Sequence, residues 1–139
     1  MSKFTRPLIV SPLPDGKRWV LREEFSYDIG SEGSGKSVIV PVAFTTDFAS
    51  IPRVFWAVYP KWGKYGNAAV VHDYLYWEQI YSRKETDDIF LEGMEVLGVS
   101  SFDRKTIYNI VRWFAGEAWK NNKKRKESGE KKIIDLSEW

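Results

Sequence analysis

The chain has 139 residues, enough for one domain with a buried core, and its 43% hydrophobic and 16% aromatic content is typical of a folded protein. It contains no cysteine, which excludes disulfides, thiolate catalysis and cysteine-ligated metal sites together. The formal net charge of +2 is too small to predict a nucleic-acid partner.

No stretch of the sequence has the long apolar run of a signal peptide or of a transmembrane helix. We therefore expect a protein that is made and folded in a cytoplasm. The composition and length together predict a single domain, residues 1–139, with a β-rich N-terminal part, a helical middle part and a basic C-terminal tail.

Alternating apolar residues predict strands in the N-terminal part, residues 1–45. Apolar residues recur at odd positions from Trp19 to Ile29 and at even positions from Val38 to Phe44, which is the period of half-buried strands. A hairpin is the economical interpretation. Between the two runs, G-S-E-G-S-G-K-S matches a phosphate-binding pattern, but it leads into a β-branched run rather than a helix, so we interpret it as a hairpin tip.

Apolar residues at helical spacing predict three helices, starting in the middle part, residues 46–120. Their predicted bounds are residues 65–81, 85–97 and about 102–121. The candidate N-caps are Asn67 for the first helix, Ser82 or Thr86 for the second, and Ser100 or Ser101 for the third. We expect Gly98 to stop the second helix and Phe114 of the third to face the core.

The C-terminal tail, residues 121–139, is rich in lysine and arginine. Residues 120–132 hold seven basic side chains against Glu127 and Glu130. Such a run is more often a solvated end than a nucleic-acid site, so we expect no nucleic-acid partner. The fold class predicted for the whole chain is α+β, with an antiparallel hairpin or small sheet followed by three helices.

The only histidine, His72, lies in the first predicted helix. If the first two helices form an antiparallel pair, positions whose numbers sum to about 159 lie level, because each helix rises about 1.5 Å per residue from the loop. His72 and Asp87 meet this condition, so the carboxylate can orient the imidazole. Asp88 is a rival for that role, although it lies about 100° off the helix face shared by Phe90 and Leu91. A hydrogen-bonded core histidine is the alternative interpretation.

Two further carboxylates flank this pair. Asp73 is turned about 100° from His72 and should face the loop that carries Asp47. Several buried carboxylates are costly unless a cation lies among them, and calcium suits carboxylate and carbonyl oxygens. Zinc is less suitable because the chain offers one histidine and no cysteine. Asp47 has an alternative role as the cap of a turn.

Three motifs in residues 46–94 carry a resemblance to known families. The order T-D-x-x-S-x-P, A-x-x-H-D-x-x-Y and R-x-x-x-D-x-x-F-x-x-x-M resembles the secreted phospholipase A2 enzymes, most of all the short bacterial ones. More closely, F-T-T-D-F-A-S-I-P-R with A-A-V-V-H-D-Y-L-Y and S-R-x-x-x-D-x-x-F resembles a phage and bacterial family catalogued as domain of unknown function 1353. The closer resemblance covers residues 38–119.

The phospholipase resemblance implies a role for each motif residue. His72 would be the general base that takes a proton from water, and Asp87 would fix its tautomer. Asp73, Asp47 and the backbone carbonyl of Phe48 would hold calcium, which would polarise the ester carbonyl. The secreted enzymes generally carry disulfides around this helix pair, and this chain has none.

Two classes of function follow from these observations. The first is a calcium-dependent ester hydrolase that acts on membrane phospholipid, for example during phage entry or lysis. The second is a non-enzymatic phage virion or tail component that contacts other virion proteins, with a metal or polar network at the same residues. The expected location is the host cytoplasm or the phage virion.

Overall fold

A computed structural model of the protein describes residues 3–47 and 65–138. Within these ranges, short β-strands come first and α-helices follow, which confirms the predicted α+β class. The strands are β1 Lys3–Phe4, β2 Val10–Pro12, β3 Trp19–Leu21, β4 Phe25–Asp28, β5 Ser37–Val40 and β6 Thr45–Thr46. The helices are α1 Gly66–Glu78, α2 Arg83–Val96, α3 Ser101–Phe114 and α4 Gly116–Glu127.

The described strands form two three-stranded antiparallel sheets, with the orders β1-β4-β5 and β2-β3-β6. The predicted hairpin is present as β4 and β5, where Phe25 pairs with Val40 and Asp28 with Ser37. The first alternating run does not form one strand, however. Three exposed charged residues at 22–24 separate β3 from β4, and β3 joins the other sheet.

The glycine-rich segment between β4 and β5 forms the hairpin tip. Gly30 and Gly35 both have φ +84°, a conformation that favours glycine. The amide of Gly33 donates to Asp28 Oδ2 at 3.1 Å, so the tip folds on its own strand. The segment leads into β5 and not into a helix, and it therefore lacks the strand-loop-helix context of a phosphate-binding loop.

Two of the predicted helix starts are confirmed and one is wrong. Ser82 caps α2 in a reciprocal capping box with Glu85, and Ser100 caps α3 by accepting from the Asp103 amide. The N-cap of α1 is Tyr65, without a side-chain cap. Asn67 instead donates its amide to the carbonyl of Arg6 at 3.1 Å, tying α1 to the N-terminal segment.

The predicted third helix is two helices, α3 and α4, which meet at Ala115. Glycine follows at 116 and weakens helix continuation there. Ala115, four residues after the buried Val111, takes the next core position and is 2% exposed. Phe114 is therefore turned away from the core and is 55% exposed, which corrects the predicted orientation.

Helix α1 lies at the centre of the described core. It is buried on nearly all sides and packs against α2, α4, β5 and β6. The pair α1 and α2 is antiparallel and close, because Ala68 meets Gly93 near one end and His72 meets Asp87 further along. A Cβ atom at Gly93 would lie 3.1 Å from Ala68 Cβ, so glycine permits this approach.

The predicted C-terminal tail is largely structured. Its first part belongs to α4, and residues 132–134, which we name the C-terminal strap, return to the second sheet. Both the amide and the hydroxyl of Thr45 donate to the Lys132 carbonyl at 2.7 Å, and the amide of Ile134 donates to Ala43 at 3.1 Å. A short 3-10 turn, Leu136–Glu138, follows the strap.

None of the helices in residues 3–47 and 65–138 combines the length and the apolar character that a bilayer crossing requires.

Candidate active site

Asp87 is the meeting point of the candidate site. Its Oδ1 lies 2.6 Å from His72 Nε2 and accepts a hydrogen bond from the Tyr76 hydroxyl at 2.7 Å. Its Oδ2 accepts from Arg112 Nη1 at 2.7 Å, and Arg83 Nη1 lies 3.5 Å away. The structure thus brings His72 and Asp87 together as the helical spacing predicts.

The carboxyl group of Asp87 is buried and ionised. Its side chain is 0% exposed, and burial alone would raise its pKa. The hydrogen bond and charge of His72, then the hydrogen bonds of Arg112 and Tyr76, outweigh burial and lower the pKa below its ordinary value of 3.8. The buried negative charge of Asp87 is therefore stabilised by hydrogen-bond donors on both of its carboxylate oxygens.

This ionised carboxylate decides the tautomer of the imidazole. A carboxylate without a proton only accepts hydrogen bonds, so His72 Nε2 must carry the hydrogen. In the neutral ring, Nδ1 is then the basic nitrogen. Asp87 thus fixes which ring nitrogen carries the hydrogen in the neutral imidazole.

The ring of His72 is also fixed by packing. Its centroid lies 4.2 Å from the Tyr76 ring and 4.5 Å from the Phe90 ring. Burial and then the charge of Asp87 raise the pKa of Tyr76 far above 10.0, so its hydroxyl remains a donor. His72 is 1% exposed, so the protein encloses the imidazole almost completely.

Asp88, the rival partner, lies on the surface. It accepts from Lys84 Nζ at 2.8 Å and from the Tyr108 hydroxyl at 2.6 Å, and its side chain is 47% exposed. These contacts belong to the outer face of α2 and α3. The residue in contact with His72 is therefore Asp87.

Asp73 is buried on another side of α1. Its Oδ2 accepts from the Thr46 hydroxyl at 2.5 Å and lies 3.9 Å from Lys132 Nζ. Thr46 directly precedes Asp47, so Asp73 faces the segment that carries Asp47, as predicted. Asp47 itself lines a pocket of about 370 Å³ together with Arg18, Thr45, Arg125, Glu130, Lys131 and Lys132.

Of the calcium ligands that the resemblance implies, Asp47 and Asp73 lie among the described residues. A calcium ion needs six to eight oxygen ligands, whereas Asp73 already has a hydroxyl donor and an ammonium group beside it. In residues 3–47 and 65–138, no three His, Asp or Glu side chains come together as a group that could hold a metal ion. Phe48 lies outside the described residues, so the complete ligand set with Asp47 stays a prediction.

Four residues of the site were given no role from the sequence. Tyr76 and Arg83 belong to the quoted motifs, four residues after His72 and four residues before Asp87, so helical spacing places each on the same helix face as its partner. Arg112 comes from α3 and Lys132 from the C-terminal strap, and no local pattern in the sequence points to either. Their roles depend on tertiary packing.

A family model matches residues 19–111, about two thirds of the chain, described as protein of unknown function (DUF1353). The chain belongs to this family. The match includes His72, Asp73 and Asp87 and ends just before Arg112. The matched region therefore contains the His72–Asp87 pair but not Arg112, which donates a hydrogen bond to Asp87. No curated protein and no solved structure matches the chain.

Proposed function

We propose that this DUF1353 protein is an ester hydrolase in which His72 is the general base. The single observation that carries the proposal is the 2.6 Å contact between His72 Nε2 and Asp87 Oδ1. A carboxylate that holds Nε2–H makes Nδ1 the basic nitrogen of the neutral ring, which is the arrangement that a general base of this kind uses.

The reaction follows from this arrangement. Nδ1 of His72 takes a proton from water while the oxygen attacks the ester carbonyl carbon, and the imidazolium that forms is stabilised by Asp87. The same proton is then given to the leaving alkoxide as the carbon–oxygen bond breaks. The products are a carboxylic acid and an alcohol, and the base returns to its starting form. Removing the oriented base should slow such a reaction about 100-fold to 10,000-fold.

Phospholipid is the substrate class proposed. The support is the resemblance of the His72 and Asp87 motifs to secreted phospholipase A2, together with the shared order of loop aspartate, His-Asp pair and later aspartate. A phage origin, with action at a membrane during entry or lysis, rests on the resemblance to the phage and bacterial family. The assay tests calcium dependence separately, because Asp73 already has the Thr46 hydroxyl and the Lys132 ammonium group beside it.

A second candidate is a non-enzymatic virion or tail component in which the same residues form a buried polar network. One observation favours it, because His72 is 1% exposed and Asp87 has donors on both oxygens. In that case the network joins α1, α2 and α3 and serves only to hold the fold. The protein would then be found with other virion proteins.

The test is an ester-release assay with the purified protein and vesicles of mixed zwitterionic and anionic phospholipid, with calcium or with a chelator. The variants Asp87→Asn and Asp88→Asn form a matched pair, since they make the same change one residue apart. We expect fatty-acid release by the wild type, a loss of about 100-fold or more in Asp87→Asn and His72→Gln, and little change in Asp88→Asn.

Two results would contradict the hydrolase. One is an absence of product from folded wild-type protein under both calcium conditions. The other is release that persists unchanged in His72→Gln, which would assign the chemistry elsewhere. Either result, with the variants destabilised, would leave the structural network as the account of these residues.

A further inference from the structure

We infer that Lys132, and not a metal ion, is the resident cation of Asp73. The inference concerns the same site as the proposed hydrolase and makes that activity independent of calcium. Lys132 Nζ lies 3.9 Å from Asp73 Oδ2, and the two side chains are 7% and 2% exposed. An ammonium group this deeply buried needs an anionic partner, and the carboxylate of Asp73 supplies it.

Backbone hydrogen bonds hold Lys132 beside Asp73. Its carbonyl accepts two hydrogen bonds from Thr45, at 2.7 Å from the amide and 2.7 Å from the hydroxyl. The neighbouring Thr46 donates its own hydroxyl to Asp73 at 2.5 Å. The adjacent residues Thr45 and Thr46 therefore bind the strap and the carboxylate at once, which fixes the lysine beside its partner.

The surroundings of the ammonium group suit a permanent cation. Lys132 Nζ lies 5.2 Å from the ring centroid of Trp77, a cation–π distance, and Trp77 is itself 4% exposed. Lys132 also borders two pockets, of about 370 Å³ and about 320 Å³. The ammonium group thus lies against Trp77, while the residue as a whole borders both pockets.

A divalent cation would not share this position. Calcium binds a carboxylate oxygen at about 2.3–2.6 Å. An ion on Asp73 Oδ2 would therefore be brought close to the ammonium group of Lys132, and the two positive charges would repel each other. The positive charge that the resemblance assigns to calcium is supplied by the chain itself.

The first test is calorimetric titration of the wild-type protein with calcium chloride, with magnesium chloride as the comparison. We expect no saturable calcium binding at millimolar concentrations. Saturable binding that Asp73→Asn abolishes would overturn the inference. This readout needs no ester substrate, so a failed hydrolase assay and a failed cation inference remain distinguishable.

The second test compares Lys132→Met with Lys131→Met in thermal unfolding. Lys131 is exposed and borders the same two pockets, so it is the matched control. We expect Lys132→Met to lower Tm by about 5 °C or more, because Asp73 loses its buried cation, and Lys131→Met to leave Tm nearly unchanged. Equal Tm values for the two variants would overturn the inference.

Discussion

Asp87, on α2, accepts hydrogen bonds from α1 and α3 and forms an ion pair within its own helix. His72 and Tyr76 come from α1, Arg83 from α2 itself, and Arg112 from α3. Arginine suits this position because its planar guanidinium keeps its charge at every accessible pH. The carboxylate thus links the helices and sets the proton on His72 in one arrangement, so stability and chemistry depend on the same residue.

The stability contributed by Asp87 should depend on pH. The pKa of Asp87 is lowered in the folded protein, so its contribution is present above the ordinary value of 3.8 and is lost as pH falls through the lower folded value. At pH 7 we expect Asp87→Asn to lower the free energy of unfolding by about 3–5 kcal/mol. The difference from wild type should narrow below pH 3.8.

Urea unfolding from pH 7 down to pH 2 measures this difference, with Asp88→Asn as the control. Asp88 is half exposed on the surface, where an ion pair contributes at most about 1 kcal/mol. A difference between wild type and Asp87→Asn that stays constant over this pH range would contradict an ionised, paired carboxylate.

Helices α1 and α2 set the register of the site. Their close approach at Ala68 and Gly93 fixes the position of one helix along the other. His72 then meets Asp87 further along the interface. A residue larger than glycine at 93 would press against Ala68 and against the Phe4 ring, whose nearest atom would be 3.3 Å from the added Cβ. The glycine is therefore a requirement of the register.

We expect Gly93→Val to lower the free energy of unfolding by about 1–3 kcal/mol through overpacking. Gly116→Val is the matched control, because nothing lies within 4 Å of a Cβ at Gly116. Chemical denaturation of both variants measures the effect. A Gly93→Val protein as stable as Gly116→Val would show that the two helices can separate without cost.

Elements with strong local signals were predictable from the sequence. The candidate cap Ser82 and the glycine at 98 predicted the ends of α2 closely, and the antiparallel register predicted the contact of His72 with Asp87. The break at Ala115 was not predictable, since apolar residues continue at helical spacing through it. Tertiary packing of Ala115 decides that position.

At the scale of the whole molecule, segments distant in sequence supply the basic side chains that contact the carboxylates of the motifs. Arg112 from α3 reaches Asp87, and Lys132 from the C-terminal strap reaches Asp73. Sequence reasoning placed the carboxylates and assigned calcium as their cation, because no local pattern reveals which basic side chains the fold returns to them. The C-terminal strap was not predicted, because its Lys132 lies in a run of lysines that is otherwise not buried in the described residues.

Two charged groups that contact the site therefore come from outside its motifs, Arg112 at Asp87 and Lys132 at Asp73. Changes at Arg112 or Lys132 should therefore act on the site without touching its motif residues.

The most direct measurement is the ring-nitrogen NMR spectrum of His72, which needs no assignment because the chain has one histidine. For the neutral ring, we predict a hydrogen on Nε2 and an unprotonated Nδ1, with this preference lost in Asp87→Asn. A hydrogen on Nδ1 in the wild-type protein would contradict the account, since the nitrogen proposed as the base would then be a donor.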